Sequence, residues 1–311
     1  MTEAQKYAAL LRQVEAEIFG RRGEGHVHPT NDRMRALVEL LGDPQRSFRA
    51  IHITGTNGKT STAAMIEELV RASGLRTGRY TSPHLSSVTE RIMVDGAPVS
   101  DRTFVAAYRE LAPYIEMVDA QFTEGSLRGE HVTEGSLRGE HVMAPLSFFE
   151  IVTALGYAIF ADTPVEVAVV EVGMGGTWDN TNVLDAEVAV VLPVALDHTQ
   201  YLGDTVEAIA AEKAGIIKPD AVAILAAQQA EAAAVLMRRA AEVGASVARE
   251  GKEFGVLERR IAVGGQSLTL QGLGGTYPDV FVPLHGAHQA QNAACALAAV
   301  EAFFGAGAES G

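Results

Sequence analysis

The chain has 311 residues, room for one large domain or two modest ones, and its 47% hydrophobic and 21% charged content excludes disordered and fibrous classes. With 25 Lys and Arg against 39 Asp and Glu, the formal charge of −14 has the wrong sign for coating nucleic acid or an anionic membrane, so any phosphate site must be built locally. The single cysteine, Cys295, excludes a disulfide framework and every multi-cysteine metal site, which fits a reducing compartment and a small packed residue in an Ala-rich helix. Residues 1–20 hold no signal-type apolar segment, and no run nears the roughly 18 apolar residues of a membrane span, so the expectation is a cytoplasmic protein.

From residue 49 the pattern alternates strand, turn and helix, which predicts an α/β fold with a mostly parallel sheet flanked by helices. Arg49–Thr54 reads as a strand, Thr60–Ser73 as a helix with Ala63, Ile66, Leu69 and Val70 on one face, and Arg76–Thr81 as a strand. Helices follow at Asp101–Val118 and Leu146–Phe160. Val165–Val172, nearly all Val and Ala around Glu166, reads as a strand buried on both faces, and Glu187–Leu192 repeats that character. A helix at Asp204–Ala214, a strand at Ala221–Ala226 and an Ala-rich helix through 229–243 come next. Short strands from about 254 to 283 suggest a small antiparallel addition, and a last helix covers about 287–304. Residues 119–144 break the rhythm as a loop insertion in which Thr123–Val132 is repeated unchanged as Thr133–Val142. Only two copies of ten residues make no solenoid, and the preferred reading is a tandem duplication in a tolerant surface loop rather than an active-site flap.

In open parallel sheets ligands bind beyond the carboxyl ends of the strands, so the residues after each strand carry the chemistry. Gly55-Thr56-Asn57-Gly58-Lys59-Thr60-Ser61 is a phosphate-cradle pattern that opens into a helix: Gly lets N–H groups face phosphates, Lys59 can reach the β and γ oxygens, and the Thr60 hydroxyl can serve Mg²⁺. The usual extra glycine is replaced by Ile53. In Tyr80-Thr81-Ser82-Pro83-His84-Leu85, Pro83 forces a turn and leaves Ser82 at the rim. Glu171, at the end of an apolar strand, must be paired or bound to a cation, and metal ligation is preferred to a salt bridge. The following Gly173-Met174-Gly175-Gly176 is no dinucleotide fingerprint, because Trp178 stands where glycine is needed, and this argues against an oxidoreductase. Asp197-His198 follows another strand end. Lys213 continues the apolar stripe Val206, Ile209, Ala210, so it is either inward and paired, neutral or modified, or else a last-turn lysine reaching solvent; both readings stand. His26 and His28 in a loop, and His285 and His288 by the last helix, have too few neighbours for a metal claim.

Taken together, His52–Ser61, Thr81–Leu85, Glu171–Gly176 with Trp178–Asn182, Asp197-His198, Glu212–Ile217, and His285-Gly286 with His288-Gln289 and Asn292-Ala293 closely resemble the bacterial folylpolyglutamate synthase/dihydrofolate synthase family of the Mur ligase superfamily. Leu40–Gln45 is similar to the family's lead-in to the phosphate loop. The resemblance covers nearly the whole chain and implies a P-loop-type central ATPase domain over residues 1–304. It implies an ATP-dependent ligase that phosphorylates a carboxylate of dihydropteroate or of a reduced folate and then joins L-glutamate to it. It further implies two Mg²⁺ ions held by Thr60, Ser82, Glu171, His198 and a carbamylated Lys213, K⁺ as a further ion, and Lys59, Lys213 and His198 as catalytic groups. Asn292 would lie near the adenine, and Pro83, His84, Phe149, Glu150, Thr153 and Asp179 near the substrate. No nucleic acid or membrane partner is expected, and the working unit is a monomer.

Two departures stand out: Thr177 replaces an arginine common in relatives, and 305–311 reads as a linker with the family's C-terminal ligase domain absent. The chain alone is therefore expected to bind ATP weakly and not to ligate glutamate. Another Mur-type ligase of peptidoglycan synthesis and a non-catalytic ATP-binding module are the competing readings; a UDP-sugar domain would leave more than about sixty residues before the phosphate loop.

Overall fold

The computed structural model describes residues 2–21, 29–124 and 144–306. The central strand β1 (Arg49–Thr54, RAIHIT) has every residue after Arg49 buried, and its alternation fixes the layers. Ile51 and Ile53 point into a core shared with α3 (Lys59–Ala72) and α9 (Ala287–Phe303), while Ala50 shares the opposite face with a core built around α5 (Phe148–Asp162). Around β1 the sheet runs β4 (Ala97–Pro98), β3 (Ile92–Val94), β2 (Thr77–Tyr80), β5 (Val167–Glu171), β1, β6 (Val188–Val191), β7 (Val222–Leu225), β8 (Ser246–Arg249). All pairings are parallel except β2 with β3 and β3 with β4.

The α5 face also carries α1 (Glu3–Phe19), α2 (Asp32–Leu40) and α4 (Asp101–Glu124). A third core lies under α7 (Val206–Lys213) and α8 (Ala230–Val243), preceded by the single turn α6 (Thr199–Leu202). Strands β9 (Gly255–Ala262), β10 (Gly265–Gln271) and β11 (Thr276–Val282) form a separate antiparallel sheet, which packs Leu268 and Leu270 into the core shared with α9. These positions agree with the expected α/β layout and its small antiparallel addition.

Four differences from the sequence reading have physical causes. Residues 119–124 are helical, because α4 continues past Val118: Asp119 pairs with Arg21 at 2.7 Å and accepts from the Leu146 amide, and Phe122 packs on the core. α1 and α2 were not anticipated; each buries only three or four side chains, Leu11, Val14 and Ile18 in α1, beneath a largely polar surface. Strands β3, β4 and β8, at two to four residues, are too short to carry a period. Glu166 lies before β5, where its carboxylate accepts from the Arg76 amide. The remainder of the ten-residue repeat after Glu124, His26, His28 and the linker residues beyond Ala306 lie outside the described residues. No helix among the described residues is long and apolar enough to cross a membrane.

Candidate functional site

β1 delivers the chain to the phosphate loop at Gly55, where a Cβ would sit 2.5 Å from that of Leu192, so only glycine passes between β1 and β6. Gly58, at φ +86°, caps α3 in the left-handed region that favours glycine. Thr54 donates its hydroxyl to Gly175 O at 2.8 Å, and Thr56 exchanges bonds with the backbone of Ala195. Asn57 and Thr60 are exposed at the mouth, with Ser61 half-buried. The Lys59 ammonium folds back over the loop onto Gly55 O at 3.1 Å and Thr56 O at 3.3 Å. The free N–H groups of the first turn of α3, with the helix dipole, make this an anion-binding end.

Glu171 ends β5 beside this loop with 2% exposure. Its two oxygens accept from the Thr60 hydroxyl at 3.1 and 2.9 Å, and the Ser82 amide also donates to it. No ion pair within 4 Å holds Glu171 among the described residues. Burial pushes its carboxyl up to about 7, against the opposing pull of Lys59 and these hydrogen bonds. The Thr60 hydroxyl and the Glu171 carboxylate therefore meet as hard oxygen donors, with the Ser82 backbone beside them. Among the described residues no three His, Cys, Asp or Glu side chains cluster as a metal site.

Lys213 resolves inward. It is 4% exposed, and its ammonium donates to Gly55 O at 3.0 Å, the carbonyl that Lys59 also uses. Burial first, then the Lys59 charge, lowers it to about 8. The preceding residue explains how α7 is held here: the Glu212 carboxylate accepts from the Trp178 amide at 3.1 Å, and its carbonyl accepts the Thr177 amide and hydroxyl at 2.9 and 3.0 Å. Gly176 lies so close that a Cβ would be 2.6 Å from Glu212 O, and Gly215 abuts Thr177. The glycine run after Glu171 is thus an interlock with α7, and the short side chain of Thr177 fits against Gly215. Glu212 escaped the sequence reading, since its partners are backbone groups some 34 residues away.

His198 stands exposed beyond β6, at φ +47°, 3.6 Å from Asp197. Asn292 on α9 is 5% exposed and lies over Gly58, whose added Cβ would be 2.7 Å from Asn292 Oδ1; Asn292 donates to Gln289, and Gln289 reaches Ser61 at 3.5 Å. The phosphate loop is therefore roofed by α9, a link that sequence spacing alone does not contain.

The expected substrate residues divide. Pro83 is exposed after a cis Ser82–Pro83 bond, His84 Nδ1 accepts from Arg91, and Phe149 lies against Gly173. Glu150, Thr153 and Asp179 are buried and engaged elsewhere. Glu150 pairs with Arg33 at 3.0 Å and caps α5 with Ser147, and Thr153 bonds Tyr80 and the Phe149 carbonyl. Asp179 accepts from the amides of Met174 and Thr181. Two cavities of about 420 and 520 Å³ are lined by none of the expected site residues.

Comparison with known proteins agrees with this geometry. Residues 147–300 match the Mur ligase middle domain. The chain is 51% identical, over 97% of its length, to the dihydrofolate synthase/folylpolyglutamate synthase of Mycobacterium tuberculosis, and 38% identical, over 85%, to the folylpolyglutamate synthase of Lacticaseibacillus casei. It spans about three fifths of the length of these curated relatives, 60% and 58%. Among solved structures, the M. tuberculosis folylpolyglutamate synthase complexed with ADP and AMPPCP superposes with TM-score 0.86 at 50% identity, covering 96% of this chain and 63% of that one. The apo form of the L. casei enzyme gives TM-score 0.83 at 35% identity, covering 94% and 67%. An AMPPCP and folate complex of a folylpolyglutamate synthase gives 0.82 at 35%, with 94% and 67% covered. The chain belongs to the folylpolyglutamate synthase/dihydrofolate synthase family of Mur ligases.

Proposed function

We propose that the chain carries the nucleotide-binding and carboxylate-activating part of an ATP-dependent amide ligase, which joins L-glutamate to dihydropteroate or to the terminal glutamate of a reduced folate. The observation that carries this reading is the meeting of two strand ends and a helix end: the Gly55–Ser61 loop after β1, Glu171 of β5 against Thr60, and Lys213 of α7 against Gly55 O. The solved relatives bound to ADP, AMPPCP and folate support nucleotide and folate as its ligands.

In this reading Gly55, Thr56, Asn57 and Gly58 offer backbone N–H groups to the phosphates, and the Lys59 ammonium moves from Gly55 O and Thr56 O to the β and γ oxygens. The Ser61 hydroxyl lines the same mouth, and Asn292 borders the adenine. Thr60, Ser82 and Glu171 would hold one Mg²⁺, and His198 with Lys213 a second, because oxygen donors beside an ionised carboxylate suit that ion. Bound there, Mg²⁺ supplies charge neutralisation to the transferring phosphoryl group. As an ammonium Lys213 cannot be a ligand. Its Nζ, neutral more readily because burial lowers it to about 8, would add to CO₂, forming an N–C bond and losing one proton to leave a carbamate anion. Pro83, His84 and Phe149 face the acceptor; Glu150, Thr153 and Asp179 support that wall from behind. The substrate carboxylate attacks the γ-phosphorus and ADP leaves; the glutamate amine then attacks the acyl carbon and phosphate leaves. We place the working protein in the cytoplasm as a monomer, with K⁺ a candidate additional ion.

The test is calorimetric titration of the chain with Mg-ATP. Binding that is lost in Lys59→Ala is expected, and a wild-type chain with no Mg-ATP binding overturns the reading. A ¹³C-carbamate resonance after ¹³CO₂ equilibration, absent in Lys213→Arg, is the expected mark of the modification. The thermal shift given by dihydropteroate, compared with that given by tetrahydrofolate, decides the acceptor, and glutamate-dependent phosphate release by this chain alone would overturn the expectation that it does not ligate.

A further inference from the structure

His52 occupies the middle of β1, fully buried, two residues before Thr54 and on the same face of the strand. Its Nε2 lies 2.9 Å from the Thr181 hydroxyl, and its Nδ1, also buried, has no hydrogen-bond partner among the described residues. A leucine would fill this space without orphaning an acceptor, so what the ring adds is its other nitrogen. Thr181 is tied on three sides: its carbonyl accepts from the Tyr157 hydroxyl at 2.9 Å, its amide donates to Asp179 Oδ1 at 3.0 Å, and its hydroxyl meets the same Oδ1. Asp179 Oδ2 in turn accepts from the Met174 amide at 2.8 Å. Burial raises the Asp179 carboxyl while hydrogen bonds from Met174 and Thr181 pull the other way, and both of its oxygens already accept from amides; Oδ1 acting as an acceptor takes the one proton of the Thr181 hydroxyl, whose lone pair then faces His52. Nε2 therefore carries the hydrogen and Nδ1 is bare.

The next residue of the loop also closes on the same strand, since Gly175 O accepts from the Thr54 hydroxyl at 2.8 Å. Two neighbouring side chains on one face of β1 thus grip the loop: Thr54 directly at Gly175, His52 through Thr181 and Asp179 at Met174.

We propose that His52 is a positioning residue, whose Nε2–H, passed through the Thr181 hydroxyl to Asp179, sets the place of the Gly173–Trp178 loop beside the phosphate loop. Burial and the nearby Lys218 charge hold the ring neutral, its basicity lowered to about 3, so the direction of the relay is constant near neutral pH.

The only tryptophan of the chain, Trp178, sits in this loop and reports on it directly. The experiment compares the full chain with His52→Gln, which keeps a donor at the same reach, with His52→Leu, and with Thr181→Val, which removes the hydroxyl at constant shape. All are checked as folded by far-UV circular dichroism. The readouts are Trp178 emission with acrylamide quenching, and Mg-ATP affinity by calorimetry; the second rests on the nucleotide reading above. His52→Leu and Thr181→Val are expected to shift Trp178 emission to the red, raise its quenching and weaken Mg-ATP by about fivefold or more, while His52→Gln stays near wild type. The inference is overturned if the folded Leu and Val variants keep wild-type emission and affinity, or if His52→Gln is as impaired as His52→Leu. Should His52→Leu fail to fold, Thr181→Val carries the same comparison. A wild-type chain that does not bind Mg-ATP would sink the nucleotide reading, yet the Trp178 arm would still decide the role of His52.

Discussion

Glu171 and Lys213 are a buried acid and a buried base whose charged forms are disfavoured by burial, and they leave opposite signatures. The acid has a raised affinity for protons in the folded chain, so folding is favoured below its ordinary value of 4.5 and loses ground as pH climbs to about 7. The base has a lowered affinity, from 10.5 to about 8, so stability returns as pH climbs from about 8 to 10.5. Each shift corresponds to about 3 kcal/mol at most. Urea titrations in EDTA should show Glu171→Gln gaining on the wild type between pH 5 and 8 by up to that amount. Lys213→Met should be the more stable at pH 7, with the difference fading by pH 10.5; curves parallel at all pH would refute both. Mg-ATP should bind Glu171→Gln at least tenfold more weakly, a loss of about 1.4 kcal/mol or more. Gly55→Ala tests the close pass between β1 and β6: its Cβ would lie 2.5 Å from that of Leu192, and a loss of about 1–3 kcal/mol is expected from overpacking, read as a lower urea midpoint.

At the scale of elements, α5 shows how a residue expected at a substrate wall can be held by partners within the fold. Glu150 closes a capping box with Ser147 and pairs with Arg33, both side chains almost fully buried. Removing one partner strands the other, so Glu150→Ala should cost about 3–5 kcal/mol in chemical denaturation, whereas the paired apolar replacement Arg33→Met with Glu150→Leu should recover much of it. Recovery of stability with continued loss of folate binding would instead mark a direct substrate role for Glu150. The elements that carry the site were readable from sequence. β5 up to Glu171 and β6 are apolar runs, as central parallel strands must be; β1 sets Ile51 and Ile53 against His52 and Thr54 on its other face; and β1 and β5 end in the polar Thr54 and Glu171. What was not readable depends on partners far along the chain. Glu212 answers backbone groups of a glycine loop, Asn292 roofs Gly58 from α9, and the buried engagements of Glu150 and Asp179 are set by Arg33 and Thr181. The helices of the first forty residues went unread because their stripes of three or four apolar residues are thin beside their charges.

At the scale of the molecule, the eight-stranded sheet of the described residues divides three cores, and the odd and even residues of β1 belong to different ones. Ile51 and Ile53 serve the α9 side; Ala50, His52 and Thr54 serve the α5 side and the loop that borders the site. Strand parity is therefore a form of reading frame for the fold, and it implies an inverse relation between the length of an edit and its damage. Removing ten residues, one copy of the repeat 133–142 between α4 and α5, changes no parity, and the melting temperature should move by no more than about 2 °C, given that loop closure depends weakly on length. Deleting Ala50 alone exchanges the faces of the strand ahead of the phosphate loop, pointing isoleucine at Thr181 and histidine at the apolar side of α9, and should leave no cooperative transition in calorimetry.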